Sequence, residues 1–87
     1  MITEVAKITR VREQDILGDS RWQDIVDIRH VYWFLLFREG FTWSQIGRIC
    51  DRNHATIIYG VRRVEGLLAV GDKEMNRIYE QLKHIKR

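Results

Sequence analysis

Asn53, His54, Ala55 and Thr56 follow one another in the chain, and together they carry groups that can read the edge of a base pair. A carboxamide pairs with adenine at N6 and N7, a hydroxyl bonds either kind of edge, and a methyl can meet the methyl of thymine. Such groups read bases only when a helix carries them into a groove, so the flanking residues decide the matter. Residues 41–58, FTWSQIGRICDRNHATII, read as a helix-turn-helix. Thr42 and Gln45 have the S/T-x-x-E/Q spacing of a capping box, which pairs two of the orphan amides at a helix start. Phe41 and Ile46 stand where a hydrophobic staple would fix the start of the same helix. Ile46, Ile49 and Cys50 are expected to line its buried face, with Gly47 letting a neighbouring helix cross closely. Asp51, Arg52 and Asn53 form a polar turn, and two of them tolerate unusual backbone angles. A second helix then starts at Asn53 and carries His54, Ala55 and Thr56 on its first turn, the part of a helix-turn-helix that reaches into the major groove.

The rest of the chain has to hold that tip in place. At 87 residues it supports one domain, residues 1–87, with a modest core. It contains no proline, and its hydrophobic fraction is 45%. Residues 1–40 carry six basic and seven acidic side chains, and residues 41–87 carry nine basic and five acidic, so the net charge of +3 comes from the C-terminal half. That bias fits a localised phosphate-contacting surface, and it equally fits an ordinary solvated one. Cys50 is the only cysteine, which excludes an intrachain disulfide and makes a reducing cytoplasm the expected setting. No apolar run is long enough for a membrane span and no secretory leader is visible, so no membrane partner is expected.

Helical signals run the length of the chain. From Ile2 to Val11, apolar Ile2, Val5, Ala6 and Ile8 suggest a short first helix preceded or capped by Thr3, and residues 12–17 a further brief turn stopped by Gly18. Residues 21–39 lack glycine and proline and place Ile25, Val26, Ile28, Val31, Tyr32, Leu35 and Leu36 at helical spacing, which predicts a central buried helix. A strand over residues 31–37 is the competing reading, and the unbroken length argues against it. The second motif helix runs to about Val70, with Ile57, Val61, Val64 and Leu68 inward. Gly71 is placed to end it and Asp72 to cap a last helix that reaches about Ile85. The expected fold is all-α, a bundle of about five helices containing a helix-turn-helix.

These residues resemble a known family, the C-terminal DNA-binding domain of the bacterial replication initiator DnaA, over roughly residues 2–85. Three segments carry the likeness: Asp15-Ile16-Leu17-Gly18 ahead of an arginine-containing loop; Thr42-Trp43-Ser44-Gln45-Ile46-Gly47; and Asn53-His54-Ala55-Thr56-Ile57 followed by Arg62-Arg63-Val64-Glu65. The resemblance implies a domain that binds a short, asymmetric, A/T-rich duplex box. It implies that Asn53, His54, Ala55 and Thr56 contact bases, that Arg21 enters the adjacent minor groove, and that Trp43 and Ser44 meet phosphate. Arg48 and Arg52, which flank the turn on the polar side of the motif, are further candidates for phosphate, and so are Arg62 and Arg63. The chain also departs from the family. Asn53 stands where aspartate is usual, which shifts the preferred partner towards adenine. Asp19, Asp24 and Asp27 dilute a loop that is usually basic, and Ile28 stands where proline is common. Fewer phosphate contacts imply a shallower salt dependence. The chain has no G-x-x-x-x-G-K-[ST] and therefore no nucleotide site of that kind.

Plainer readings stand beside these. His54 and Thr56 can be helix-start residues, Arg21, Arg62 and Arg63 solvated side chains, and Trp22, Trp33 and Trp43 packing residues of the core or of helix starts. Asp24 and Asp27 lie a turn apart and suit a helix dipole on a solvated face better than a metal site. His30, His54 and His84 lack metal-ligand spacing, and no nucleophile-base arrangement is recognisable. The sequence therefore predicts a non-enzymatic binder of double-stranded DNA with no cofactor, no metal and no small-molecule substrate, its protein partners left open. The alternative is a helical protein-interaction or transcription-regulatory module that has lost box binding.

Overall fold

A computed structural model describes residues 1–87 and contains helices only: α1 (Ile2–Thr9), α2 (Glu13–Leu17), α3 (Gln23–Arg38), α4 (Trp43–Cys50), α5 (His54–Ala69) and α6 (Lys73–Leu82). The all-α bundle is as expected. The helices number six because residues 13–17 close a turn of their own, with the Asp15 and Ile16 amides donating to the Arg12 carbonyl. Thr3 neither precedes nor caps α1 but lies within its first turn; Met1 stands at the N-cap without a side-chain bond, and the Thr3 hydroxyl donates to Glu13 instead.

The strand alternative for residues 31–37 is excluded, since they form the middle of α3. That helix touches each of the other five. Its Val31, Tyr32, Trp33, Leu35 and Leu36 join Val5, Ile16, Ile46, Ile57, Val61, Met75 and others in a core cluster of 17 buried residues to which every helix contributes. A helix apolar nearly all round must be enclosed by its neighbours, and α3 is.

Two glycines permit close approaches. Gly60 marks the crossing of α5 over α3: a Cβ there would lie 2.5 Å from the Trp33 ring and 2.9 Å from that of His30. Gly47 does not serve a helix crossing, as its sequence position suggested. A Cβ at 47 would meet the Arg52 carbonyl oxygen at 2.7 Å, so its bare backbone admits the motif's own turn.

After α5 the chain reverses through Gly71 at φ 73°, a conformation that side chains with a Cβ resist. The Gly71 and Asp72 amides donate to the carbonyls of Leu68 and Leu67, at 3.1 and 2.9 Å. Asp72 then caps α6, accepting from the Met75 amide at 3.0 Å. The helix stops at Leu82, short of Ile85, yet Ile85 remains buried, because Arg38 donates to the carbonyls of Lys83 and Ile85.

Candidate nucleic-acid interface

The helix-turn-helix consists of α4 and α5. Both halves of the capping box form: the Gln45 amide donates to Thr42 Oγ1 at 3.1 Å, and the Thr42 amide to Gln45 Oε1 at 2.9 Å. Ile46 and Cys50 are buried as expected, whereas Ile49 is 46% exposed. Three positions on from Ile46, it falls on the opposite flank of the buried stripe from Cys50. Asp51 turns the chain with φ 53° and ψ 52°, using the left-handed conformation that aspartate tolerates better than most. The Arg52 amide closes that turn on the Gly47 carbonyl at 2.9 Å.

Asn53 is the N-cap of α5, its Oδ1 accepting from the Thr56 amide at 2.9 Å. The same side chain that was expected to meet adenine therefore also caps the helix, its oxygen already accepting one bond. Nδ2 makes no bond within the chain and is free to donate. His54, Ala55 and Thr56 are all exposed on the first turn. His54 borders a polar depression of about 620 Å³ that is also lined by Ser44, Arg48, Asp51 and Asn53 and by no apolar side chain. A second depression, of about 450 Å³, brings Arg21, Asp19 and Ser20 of the α2–α3 loop together with Thr56. The loop and the tip thus face one another across a shared hollow. Arg29 fixes this loop from below, donating to the carbonyls of Ile16, Ser20 and Asp15 at 2.8, 3.0 and 3.0 Å.

The five candidate arginines divide sharply. Arg21 and Arg48 are exposed and enter no salt bridge or side-chain hydrogen bond. Arg62 is exposed but braced, paired with Glu65 at 2.7 Å and lying over the rings of Phe37 and Trp43. Arg52 turns inward: it donates to the carbonyls of Gly18 and Cys50, pairs with Asp19 at 3.3 Å and lies over Trp33. Arg63 pairs with Asp27 at 2.8 Å and reaches His30 Nδ1 at 3.1 Å. Arg52 and Arg63 are therefore tied within the bundle, whereas Arg21 and Arg48 are not. Asp27, read from sequence as part of a solvated face, is buried and also accepts from Gln23 Nε2 at 2.9 Å.

Burial, followed by the neighbouring Arg63 and Arg29, lowers the His30 pKa to about 4, against an opposing pull from Asp27. The ring is neutral at neutral pH. Burial likewise raises the Cys50 thiol to about 11, as befits a packed and unreactive side chain. No group of three or more His, Cys, Asp or Glu residues is placed to hold a metal ion.

Trp33 is in the core, and Trp43 stacks on Phe37 with centroids 4.3 Å apart, locking the start of α4 with Ser44 exposed beside it. Trp22 breaks the packing expectation, being 79% exposed. Tyr59 was missed by the motif reading. It is exposed, sets its edge against His30, and lies three and four residues beyond Thr56 and Ala55, on the same face of α5. Helical spacing from the tip was the signal that could have found it.

An exposed polar tip on the second helix, a capped first helix and a tight turn define a helix-turn-helix protein. Residues 1–64 match the family described as the bacterial dnaA protein helix-turn-helix, and the chain belongs to that family. It is 29% identical over 85 residues to the chromosomal replication initiator protein DnaA of Leptospira biflexa, an alignment covering 97% of this chain and 19% of that protein. It is 31% identical over 74 residues to the protein of that name in Mycoplasma pneumoniae, covering 83% of this chain and 17% of the relative. The chain thus spans under a fifth of the length of these relatives. No helix is long and apolar enough to cross a membrane.

Proposed function

We propose that this chain binds double-stranded DNA sequence-specifically, with α5 in the major groove of a short A/T-rich box, and that it acts in replication initiation or its regulation in the bacterial cytoplasm. The observation that carries the reading is the open His54–Ala55–Thr56 tip, with Arg48 on one side and Arg21 across the hollow on the other, both free of internal partners. His54, Ala55 and Thr56 read bases, and Asn53 adds one donor through Nδ2. Arg21 enters the minor groove. Ser44, Arg48 and the start of α4 at Trp43 meet phosphate, and Arg62 approaches the backbone from further along α5. Phosphate contacts set the register and the tip sets the preference.

Selection of bound duplexes from a random pool tests binding and defines the box. On that box, His54→Ala relaxes preference by about 1–3 kcal/mol at the contacted base pair, whereas Arg48→Ala weakens all duplexes alike. Equal loss on specific and non-specific duplexes in both variants contradicts that division. A protein-interaction role is the second reading, and Asp19, 98% exposed in the loop, favours it. That reading predicts no salt-dependent duplex binding at all.

A further inference from the structure

Trp22 sits at the N-cap of α3 with no side-chain capping bond, at a position where a small polar residue would serve the helix better. It is also 79% exposed and belongs to none of the aromatic pairs of the bundle. The fold therefore gives the indole nothing to do. Its surroundings do: it follows Arg21, and the two side chains border one shallow surface with Ser20 and Gln23. The backbone that presents it is anchored, since the Trp22 amide lies 3.4 Å from Ser20 Oγ, Arg29 holds the Ser20 carbonyl, and Gln23 is bonded to buried Asp27.

Charge adds a second argument. Residues 18–24 contain one arginine against Asp19 and Asp24, so the segment approaches a polyanion with no net electrostatic attraction of its own. An apolar contact can supply what the missing cations do not. Proteins that enter the minor groove often place an apolar wedge against a base step, unstacking it in part and bending the duplex.

We propose that Trp22 is such a wedge: next to Arg21 in the minor groove, its indole inserts against a flexible step of an A/T-rich duplex and bends it. The proposal rests on the duplex-binding reading above. It adds a specificity element, because TA steps unstack more readily than their neighbours. The rigid loop fixes the distance between that step and the bases met by His54 and Thr56.

The test uses the whole chain with a short A/T-rich duplex carrying a TA step, end-labelled to report bending by energy transfer and binding by anisotropy, over a series of salt concentrations. Trp22→Ala should weaken binding about tenfold, on the scale of a lost aromatic–base contact, and abolish the bend. The slope of affinity against salt should not change, because no charge is removed. Trp22→Phe should keep most of both. Arg21→Ala should instead flatten the slope by about one phosphate contact. Trp22→Ala binding and bending like the unaltered chain overturns the wedge and leaves duplex binding standing. An equal loss on the single strand of the same sequence also overturns it, by making the indole a general stacking surface. Absence of salt-dependent duplex binding by the unaltered chain sinks both proposals together. Unfolding curves for the variants should superimpose on that of the parent, as the indole is exposed, and a destabilised Trp22→Ala would show a structural role and count against the wedge.

Discussion

Arg48 and Arg63 carry the same group on consecutive helices, and their removal should have opposite consequences. Arg63 faces Asp27, whose side chain is 7% exposed. Truncation to alanine leaves that carboxylate buried with Gln23 as its remaining partner, and breaking a buried pair from one side costs about 3 kcal/mol or more. Arg63→Ala should therefore lower the urea midpoint markedly, while its folded fraction keeps its salt slope on DNA. Arg48 has no internal partner, so Arg48→Ala should leave stability within about 0.5 kcal/mol and reduce the magnitude of the salt slope by about 0.9. Denaturant titration and binding at several salt concentrations read the two quantities separately. A salt slope that changes in Arg63→Ala and not in Arg48→Ala would reverse the assignment. The same contrast explains what sequence could tell about these arginines. Each is followed by an apolar residue, Ile49 and Val64, and a free guanidinium differs from a tied one only by partners distant in the chain, as His30 and Asp27 are from Arg63.

Local signals made the elements legible. The capping box of Thr42 and Gln45, the Asp72 cap and the Gly71 stop each depend on residues within one turn, and all three form. The inward stripe of α5 was equally readable, since Ile57, Val61 and Val64 repeat with the helix and are fully buried. What escaped were features set by how elements meet: the exposure of Ile49 and Trp22, the inward turn of Arg52, and the ties of Arg63 to Asp27 and His30. The α3–α5 crossing belongs to this second kind, and two glycines of α5 test it. At Gly60 a methyl would fall within 3 Å of both Trp33 and His30, so Gly60→Ala should destabilise by about 1–3 kcal/mol through overpacking. At Gly66 a Cβ meets nothing within 4 Å, and Gly66→Ala should stabilise by about 0.5–1 kcal/mol by removing glycine from a helix interior. Thermal unfolding of the two variants should move in opposite directions. A shared direction would mean that α5 does not cross α3 at Gly60.

The crossing also links the whole molecule to pH through His30. Its ring is buried between α3 and α5, with Arg63 and Arg29 disfavouring a proton and Asp27 favouring one. Burial is the largest influence, and the folded-state pKa falls from 6.5 to about 4. A base with a depressed pKa binds its proton more readily in the unfolded chain, so the sign follows: stability is fully present above about pH 6.5 and declines as the pH falls towards 4. The largest loss from this one group is about 3 kcal/mol, a substantial share of the 5–15 kcal/mol typical of a folded domain. Glu39 adds a loss at the lower end of the range, because the Arg87 amide and then Arg38 hold its carboxyl below the usual value, and Glu74, held low by its bond from Arg77, acts in the same direction. A His30→Gln variant separates these effects, since glutamine keeps an acceptor near Arg63 and takes up no proton. The Tm of the parent should fall from pH 6.5 to 4.5 more steeply than that of His30→Gln, the two curves differing little in slope above pH 7. Duplex binding between pH 7 and 8 should be indifferent to His30, because the ring is already neutral and lies beneath the interface rather than in it. Parallel Tm profiles for the parent and the variant throughout the acid range would show that burial at the crossing does not hold the proton off.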